Sequence, residues 1–201
     1  MKFHHTLIVF MVFSCVFFAS GCSKKELPGY AYYGFYPSSR GDNYKQFRHN
    51  ILGFSIDIPS NWIFGVNGQP PTAVVFIYPE GIVTDKFSDT YETLEIGNIA
   101  LNHTDLQNAQ QAVMKGMSLK HPDILVTEQP QEVVINSRNS LCWIFKWKSK
   151  TGYDVTEYIT LVQGDKDIRS LAIRTTKTDF NTMRKAYDEM INTFTIYQTK
   201  Y

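Results

Sequence analysis

The clearest reactive group in the sequence is a cysteine that follows a run of small residues. Cys22 comes directly after the small residues at positions 19–21, and an apolar segment of 12 residues at 7–18 precedes them. A short apolar stretch that ends in small residues is typical of a secretory signal peptide, whereas a membrane-spanning helix needs about twenty apolar residues. We therefore predict that residues 1–21 are a signal peptide and that cleavage leaves Cys22 as the first residue.

The Ser-Gly-Cys segment at 20–22 resembles the lipobox of bacterial lipoproteins, although Ala19 stands where that family more often has Leu. In this family a peptidase cleaves before a cysteine whose thiol already carries a diacylglycerol. The resemblance implies that acyl chains on Cys22 hold the protein to the cell envelope, because each buried methylene contributes about 0.8 kcal/mol. The residue after the cysteine is Ser23, where the inner-membrane retention signal of many enteric bacteria has Asp. The resemblance therefore implies the outer membrane, facing the periplasm, if the source is Gram-negative. The alternative is an ordinary cleaved signal peptide with an unmodified thiol.

Charge and cysteine usage exclude several classes of function. After residues 1–21 are removed, 19 Lys and Arg balance 19 Asp and Glu. We expect no nucleic-acid partner, since nucleic-acid-binding proteins carry a clustered surplus of basic residues. Cys142 has no cysteine partner, because Cys15 leaves with the signal peptide and Cys22 is acylated. We predict a single domain without a disulfide and a structural, buried thiol at Cys142.

Motifs for catalysis or cofactor binding are absent from the sequence. It contains no G-x-S-x-G, no H-E-x-x-H, no Walker loop and no dinucleotide glycine fingerprint. We interpret His49, His103 and His121 as surface or capping residues rather than as bases or metal ligands. Asp165 and Asp167 form a solvated hairpin tip, because two carboxylates alone make a poor calcium site. We therefore expect no cofactor, no metal and no enzymatic activity; an enzyme or small-ligand carrier with an unrecognised site is the alternative.

Residues 22–50 combine chain-breaking glycines and prolines with an unusual number of aromatic side chains. We predict a lipidated, flexible tether here, because the glycines and prolines interrupt any helix or strand pattern. The rings pack on the domain, lie in the lipid headgroup region or bind a partner, since aromatic side chains favour all three settings. The candidate contacts with a membrane-associated protein partner are Tyr30, Tyr32, Tyr33, Tyr36 and Trp62.

Residues 51–201 carry the patterns of a folded α+β domain. Alternating apolar and polar residues between short polar turns predict about seven strands in a mainly antiparallel sheet. The segment 141–148 has its tryptophans on one face and Cys142 on the other, so both faces are covered. Its lysines lie opposite the tryptophans, which argues against a nucleic-acid stacking surface.

Two helices accompany the predicted strands. Thr104 and Gln107 have the spacing of a capping box, and apolar residues recur at helical spacing after them until residue 121. Thr178 can cap a second helix with an apolar stripe that ends at Phe194. Two capped helices packed on a mainly antiparallel sheet make an α+β sandwich.

The opening of this domain resembles that of the PsbP-like family. The residues Gly-Phe-Ser-Ile-Asp-Ile-Pro-Ser-Asn-Trp at 53–62 and the order of the elements carry the resemblance, which covers roughly residues 53–196. The family includes an extrinsic subunit of photosystem II and small bacterial lipoproteins. The resemblance implies an α-β-α sandwich and a non-catalytic accessory or assembly role at a membrane. No metal or photosystem contact motif of the family matches, so no site residue is transferred.

Overall fold

The computed structural model describes most of the chain after residue 32. The described residues are 33–68, 73–80, 93–99, 105–149, 152–176 and 180–198. Cys22, Tyr30, Tyr32 and His103, to which the sequence assigns roles, lie outside them. No helix in the described ranges combines the length and the apolar character that crossing a membrane requires.

Eleven strands and two helices lie within the described residues. In chain order they are β1 (Tyr33–Pro37), β2 (Tyr44–His49), β3 (Phe54–Pro59), β4 (Trp62–Asn67), β5 (Val74–Pro79), β6 (Thr93–Ile99), α1 (Leu106–Lys120), β7 (Leu125–Ile135), β8 (Arg138–Lys148), β9 (Asp154–Gln163), β10 (Ile168–Thr175), α2 (Phe180–Ile191) and β11 (Thr195–Ile196). The strands form two antiparallel sheets, with the orders β1-β2-β3-β11 and β4-β5-β6-β10-β9-β8-β7. The prediction of a mainly antiparallel sheet of about seven strands is confirmed, and a second sheet of four strands is added to it.

The four-stranded sheet corrects the predicted start of the domain. β1 and β2 lie within residues 22–50, where we predicted a tether, and they pair with each other and with β3. Phe47 of β2 is fully buried, so its apolar contacts hold these strands on the core. Gly41, one of the chain breakers, has a φ of 95° and lies in the turn between β1 and β2. The folded domain therefore begins no later than residue 33.

The two helices cover opposite faces of the seven-stranded sheet. α1 packs against the face of β8 that carries Trp143 and Trp147. α2 packs Tyr187 and Met190 against the face that carries Cys142, and the inward side of the four-stranded sheet shares that core. The predicted division of β8 into a tryptophan face and a cysteine face is confirmed.

The start of α1 differs from the predicted capping box. The Oδ1 of Asp105 accepts hydrogen bonds from the N–H groups of Gln107 at 2.7 Å and Asn108 at 3.1 Å. Asp105 is therefore the N-cap residue, and its negative charge also suits the positive end of the helix dipole. Thr104 and Thr178, the predicted caps, lie outside the described residues.

Candidate binding surface

An aromatic cluster lies where the edges of the two sheets meet. Tyr33 and Phe35 project from one face of β1, and each meets Phe64 of β4 edge-on with 5.1 Å between ring centroids. The ring of Phe64 lies 4.6 Å from that of the buried Phe47. Because β1 and β4 are edge strands, Tyr33 and Phe35 remain 44% and 40% exposed. The apolar core therefore extends to solvent at this edge.

A lysine lies over the exposed end of this cluster. The Nζ of Lys45 is 4.0 Å from the ring centroid of Phe35, which is the geometry of a cation–π contact. Burial lowers the pKa of Lys45, and the carboxylate of Glu80 opposes this effect. We call Tyr33, Phe35, Lys45 and Phe64 the aromatic rim.

The opposite face of the four-stranded sheet combines tyrosines with arginines. The guanidinium carbon of Arg48 lies 4.5 Å from the ring centroid of Tyr36, and that of Arg40 lies 3.8 Å from the ring centroid of Tyr44. Glu189 pairs with Arg40 at 3.2 Å and accepts a hydrogen bond from the Tyr44 hydroxyl at 3.1 Å. We call Tyr36, Arg40, Tyr44 and Arg48 the tyrosine–arginine face.

A buried carboxylate lies on the same face of the sheet. Asp57 pairs in register with Gln46, and it is 3% exposed. Its Oδ2 accepts a hydrogen bond from Ser38 Oγ at 2.7 Å. Its Oδ1 has no hydrogen-bond partner among the described residues. Leaving a buried acceptor unpaired costs about 1–3 kcal/mol, and this oxygen is closed to solvent, so it adds no exposed acceptor to the face.

The structure divides the described contact residues between the aromatic rim with its neighbour Trp62 and the tyrosine–arginine face. Tyr33 belongs to the aromatic rim, and Trp62 lies two residues before Phe64 on β4, partly buried against the same core. Tyr36 belongs to the tyrosine–arginine face. The sequence analysis missed the basic partners of these rings. Residues 44–49 show no apolar–polar alternation, so no local signal in the sequence predicts a strand that would place Arg48 beside Tyr36.

His49 is buried, so the predicted surface position was wrong, whereas its ring does cap the turn that follows β2. It is 2% exposed, its ring stacks on Phe54 with 5.9 Å between centroids, and its Nδ1 accepts a hydrogen bond from the Leu52 N–H at 3.2 Å. Burial lowers the pKa of His49 to about 4, and the charge of Arg169 acts in the same direction. The imidazole is therefore neutral at physiological pH.

A second group of ionisable side chains is committed to structural contacts. The Oε2 of the buried Glu157 accepts hydrogen bonds from Trp147 Nε1 at 3.1 Å and from Arg174 Nε at 3.2 Å. Arg174 also lies 3.9 Å from Glu95, whose pKa is raised by burial. These contacts join β6, β8, β9 and β10 rather than open a reactive site.

The predicted hairpin tip also forms ion pairs. Asp165 lies 2.8 Å from Arg138, and Asp167 lies 2.9 Å from Arg169. Arg138 lowers the pKa of Asp165. Across the described ranges, no three His, Cys, Asp or Glu side chains lie together as metal ligands would.

An open groove of about 670 Å³ lies between the start of α1 and the hairpin of β7 and β8. Its ionisable lining residues are Asp105 and Glu132. Asp105 already caps α1, and the described lining includes no His, Cys, Lys or Arg.

Comparison with known proteins identifies the fold of this chain. No protein-family model matches the sequence, and no curated protein matches it. Among solved structures, cyanobacterial PsbP (CyanoP) from Synechocystis aligns with a TM-score of 0.58 and 11% identity, over 81% of this chain and 98% of CyanoP. The chain has the PsbP-like fold.

Two further structures share the PsbP-like fold. The Ran-binding protein Mog1p of Saccharomyces cerevisiae aligns with a TM-score of 0.53 and 14% identity, over 78% of this chain and 96% of Mog1p. A protein from Bacteroides thetaiotaomicron aligns with a TM-score of 0.54 and 14% identity, over 80% of this chain and 51% of that protein. These low identities establish the fold alone.

Proposed function

We propose that this protein is a lipid-anchored, extracytoplasmic accessory protein that binds a membrane-associated protein partner and catalyses no reaction. Acyl chains on Cys22 hold it to the cell envelope, at the outer membrane facing the periplasm if the source is Gram-negative. The Ser-Gly-Cys segment at 20–22, after the apolar run at 7–18, supports the anchor. The tyrosine–arginine face supports the binding role and is the observation that carries the proposal.

Tyrosine and arginine are the side chains that contribute most often to protein–protein binding energy. On this face each arginine already lies over a tyrosine ring, and Arg40 is also held by Glu189. Side chains that are positioned before binding lose less conformational freedom when the partner arrives. This combination suits a protein surface as the ligand.

The distribution of ionisable groups supports a non-catalytic role. Glu157 and Arg174 are bound to each other and to Trp147. The described groove near α1 offers two carboxylates, one of which caps the helix. An enzyme or a small-ligand carrier would instead need convergent reactive groups or an apolar pocket.

The neighbours with the PsbP-like fold agree with a binding role. Mog1p is a Ran-binding protein, so this fold serves as a binding module in at least one protein. We extend to this chain the general property of binding a protein, and not the identity of Mog1p's partner.

Photo-crosslinking in intact membranes, followed by mass spectrometry, tests the binding role. The double variant Tyr36→Ser and Arg48→Ser removes one ring and its arginine from the tyrosine–arginine face. We expect recovery of the crosslinked partner to fall about fivefold or more, because losing two interface anchors of this kind costs at least about 1 kcal/mol. Acyl labelling of Cys22 is expected to stay unchanged.

The matched control is the double variant Tyr153→Ser and Lys115→Ser, which removes an exposed tyrosine and an exposed lysine elsewhere in the domain. The control is expected to recover the partner at the yield of the unaltered protein. Equal recovery by both double variants would show that the tyrosine–arginine face does not bind the partner.

A further inference from the structure

Positive charge is concentrated at the N-terminal edge of the protein. Residues 22–50 contain five Lys or Arg and two Asp or Glu, whereas residues 51–201 contain 14 Lys or Arg and 17 Asp or Glu. His49 adds no charge at neutral pH, because its pKa is about 4. An anionic surface would therefore attract the N-terminal part of the chain more strongly than the rest. Lys45 is the basic side chain of this part that lies on the aromatic rim.

The aromatic rim supplies the apolar part of such a contact. Tyr33 and Phe35 are exposed side by side on one face of an edge strand. Aromatic rings favour the headgroup region of a bilayer, and a lysine stem can lie along a ring while its ammonium reaches lipid phosphates. Lys45 already lies over Phe35 in this way.

The chain between the proposed anchor and β1 is short. Ten residues separate Cys22 from Tyr33, and a chain of this length reaches at most about 36 Å. This segment also contains Lys24 and Lys25. An anchor at Cys22 therefore keeps β1 close to the lipid surface.

We propose that the aromatic rim docks on the anionic phospholipid surface of the membrane in which Cys22 is anchored. The proposal rests on the anchor of the proposed function but not on its protein partner. The tyrosine–arginine face lies on the other side of the same sheet, so the two contacts use different side chains. Lipid docking of the rim would fix the orientation in which that face meets its partner.

Amine labelling of the acylated full chain in vesicles tests this contact. The vesicles contain phosphatidylcholine alone, or phosphatidylcholine with one third phosphatidylglycerol. Peptide mass spectrometry gives the modification rate of Lys45 and, as an internal control, of Lys115, which is exposed on α1. We expect Lys45 to react about threefold or more slowly in the anionic vesicles, and high salt to remove the difference. Lys115 is expected to react equally in both.

A matched pair of variants tests the rim itself. Tyr33→Ser with Phe35→Ser is expected to abolish the protection of Lys45, whereas Leu119→Ser with Tyr153→Ser, which alters exposed apolar side chains elsewhere, is expected to keep it. Equal reactivity of Lys45 in the two lipid mixtures would overturn the proposal. That comparison uses the unaltered chain, so it holds even if the rim variant does not fold.

The outcomes separate this proposal from the proposed function. The Tyr36→Ser and Arg48→Ser variant is expected to lose its partner and still show slow labelling of Lys45. An unmodified Cys22 would overturn the anchor, and the same lipid comparison would then be made with the chain added to preformed vesicles. Protection of Lys115 together with Lys45 would indicate non-specific adsorption to the vesicles and would contradict docking through the aromatic rim.

Discussion

The rings of Phe35 and Phe64 meet edge-on, with 5.1 Å between their centroids and an interplanar angle of 77°. Phe35 belongs to the edge of one sheet and Phe64 to the edge of the other, so this contact joins the two sheets. Phe64 also contacts Tyr33 and Phe47. The ring of Phe64 therefore helps to position β1 against the seven-stranded sheet.

Replacing Phe64 with Ala is expected to destabilise the domain by about 2–3 kcal/mol, since the substitution removes three ring contacts and leaves a cavity between the sheets. Urea unfolding measures the change. Tyr153→Ala, at an exposed position, is the control and should change the unfolding free energy by less than about 0.5 kcal/mol. A loss below about 1 kcal/mol for Phe64→Ala would show that β1 is held by other contacts.

The buried imidazole of His49 is expected to make stability depend on pH. Above pH 6.5 it is neutral in both the folded and the unfolded chain, and its full contribution is present. As the pH falls below 6.5 the unfolded chain takes up a proton, while the folded chain resists until its pKa of about 4. Stability is therefore lost between these values, by up to about 3 kcal/mol.

His49→Gln is the variant that tests this dependence, because its side-chain oxygen can still accept a hydrogen bond from the Leu52 N–H. Unfolding free energies at pH 7.5, 6, 5 and 4.5 should fall less steeply for the variant than for the unaltered protein. Parallel pH profiles for the two proteins would show that His49 does not titrate between folded and unfolded states as described.

The buried carboxylate of Glu157 is expected to stabilise the folded protein. Glu157→Gln removes the buried negative charge that accepts hydrogen bonds from Trp147 and Arg174, so we expect the free energy of unfolding in urea to fall by about 2–3 kcal/mol. Asp154→Asn, which breaks an exposed pair with Lys148, should leave stability unchanged within error. Equal changes in unfolding free energy for Glu157→Gln and Asp154→Asn would contradict a structural role for the buried carboxylate of Glu157.

The strand β8 shows how far local pattern predicts this fold. Alternation in 141–148 predicts a tryptophan face and a cysteine face, and the structure confirms both. In the four-stranded sheet, β3 has such a pattern, with Phe54, Ile56 and Ile58 in alternation, but β11 does not. β11 has two residues, and Thr195 pairs with Ser55 from the other end of the domain, so the pairing is visible only after the chain has folded.

The candidate surface is predictable only in part for the same reason. The tyrosines are evident in the sequence. The arginines and Lys45 become candidate contacts only when the register between β1 and β2 places them beside the aromatic rings. The burial of His49 was not predicted because its contacts with Phe54 and Leu52 form only in the folded protein. The N-cap differs by one residue because Asp105 accepts both amide donors itself.

Cys142 is expected to react slowly with a thiol reagent. Burial raises its pKa, and the thiolate is the reactive form. Labelling of Cys142, followed by peptide mass spectrometry, should be about a hundredfold or more slower in the native protein than in urea, since the core must open first. Rapid labelling without denaturant would contradict the structural role predicted from the sequence.

The most direct test of the account is the mass of the N-terminal peptide of the protein purified from its own membranes. We expect the peptide to begin at Cys22 and to carry a diacylglyceryl group on the thiol, and Cys22→Ala to abolish both cleavage and acyl labelling. A chain that is cleaved after Gly21 with an unmodified Cys22 thiol, or that is cleaved elsewhere, would contradict the lipid anchor on which the proposed function depends.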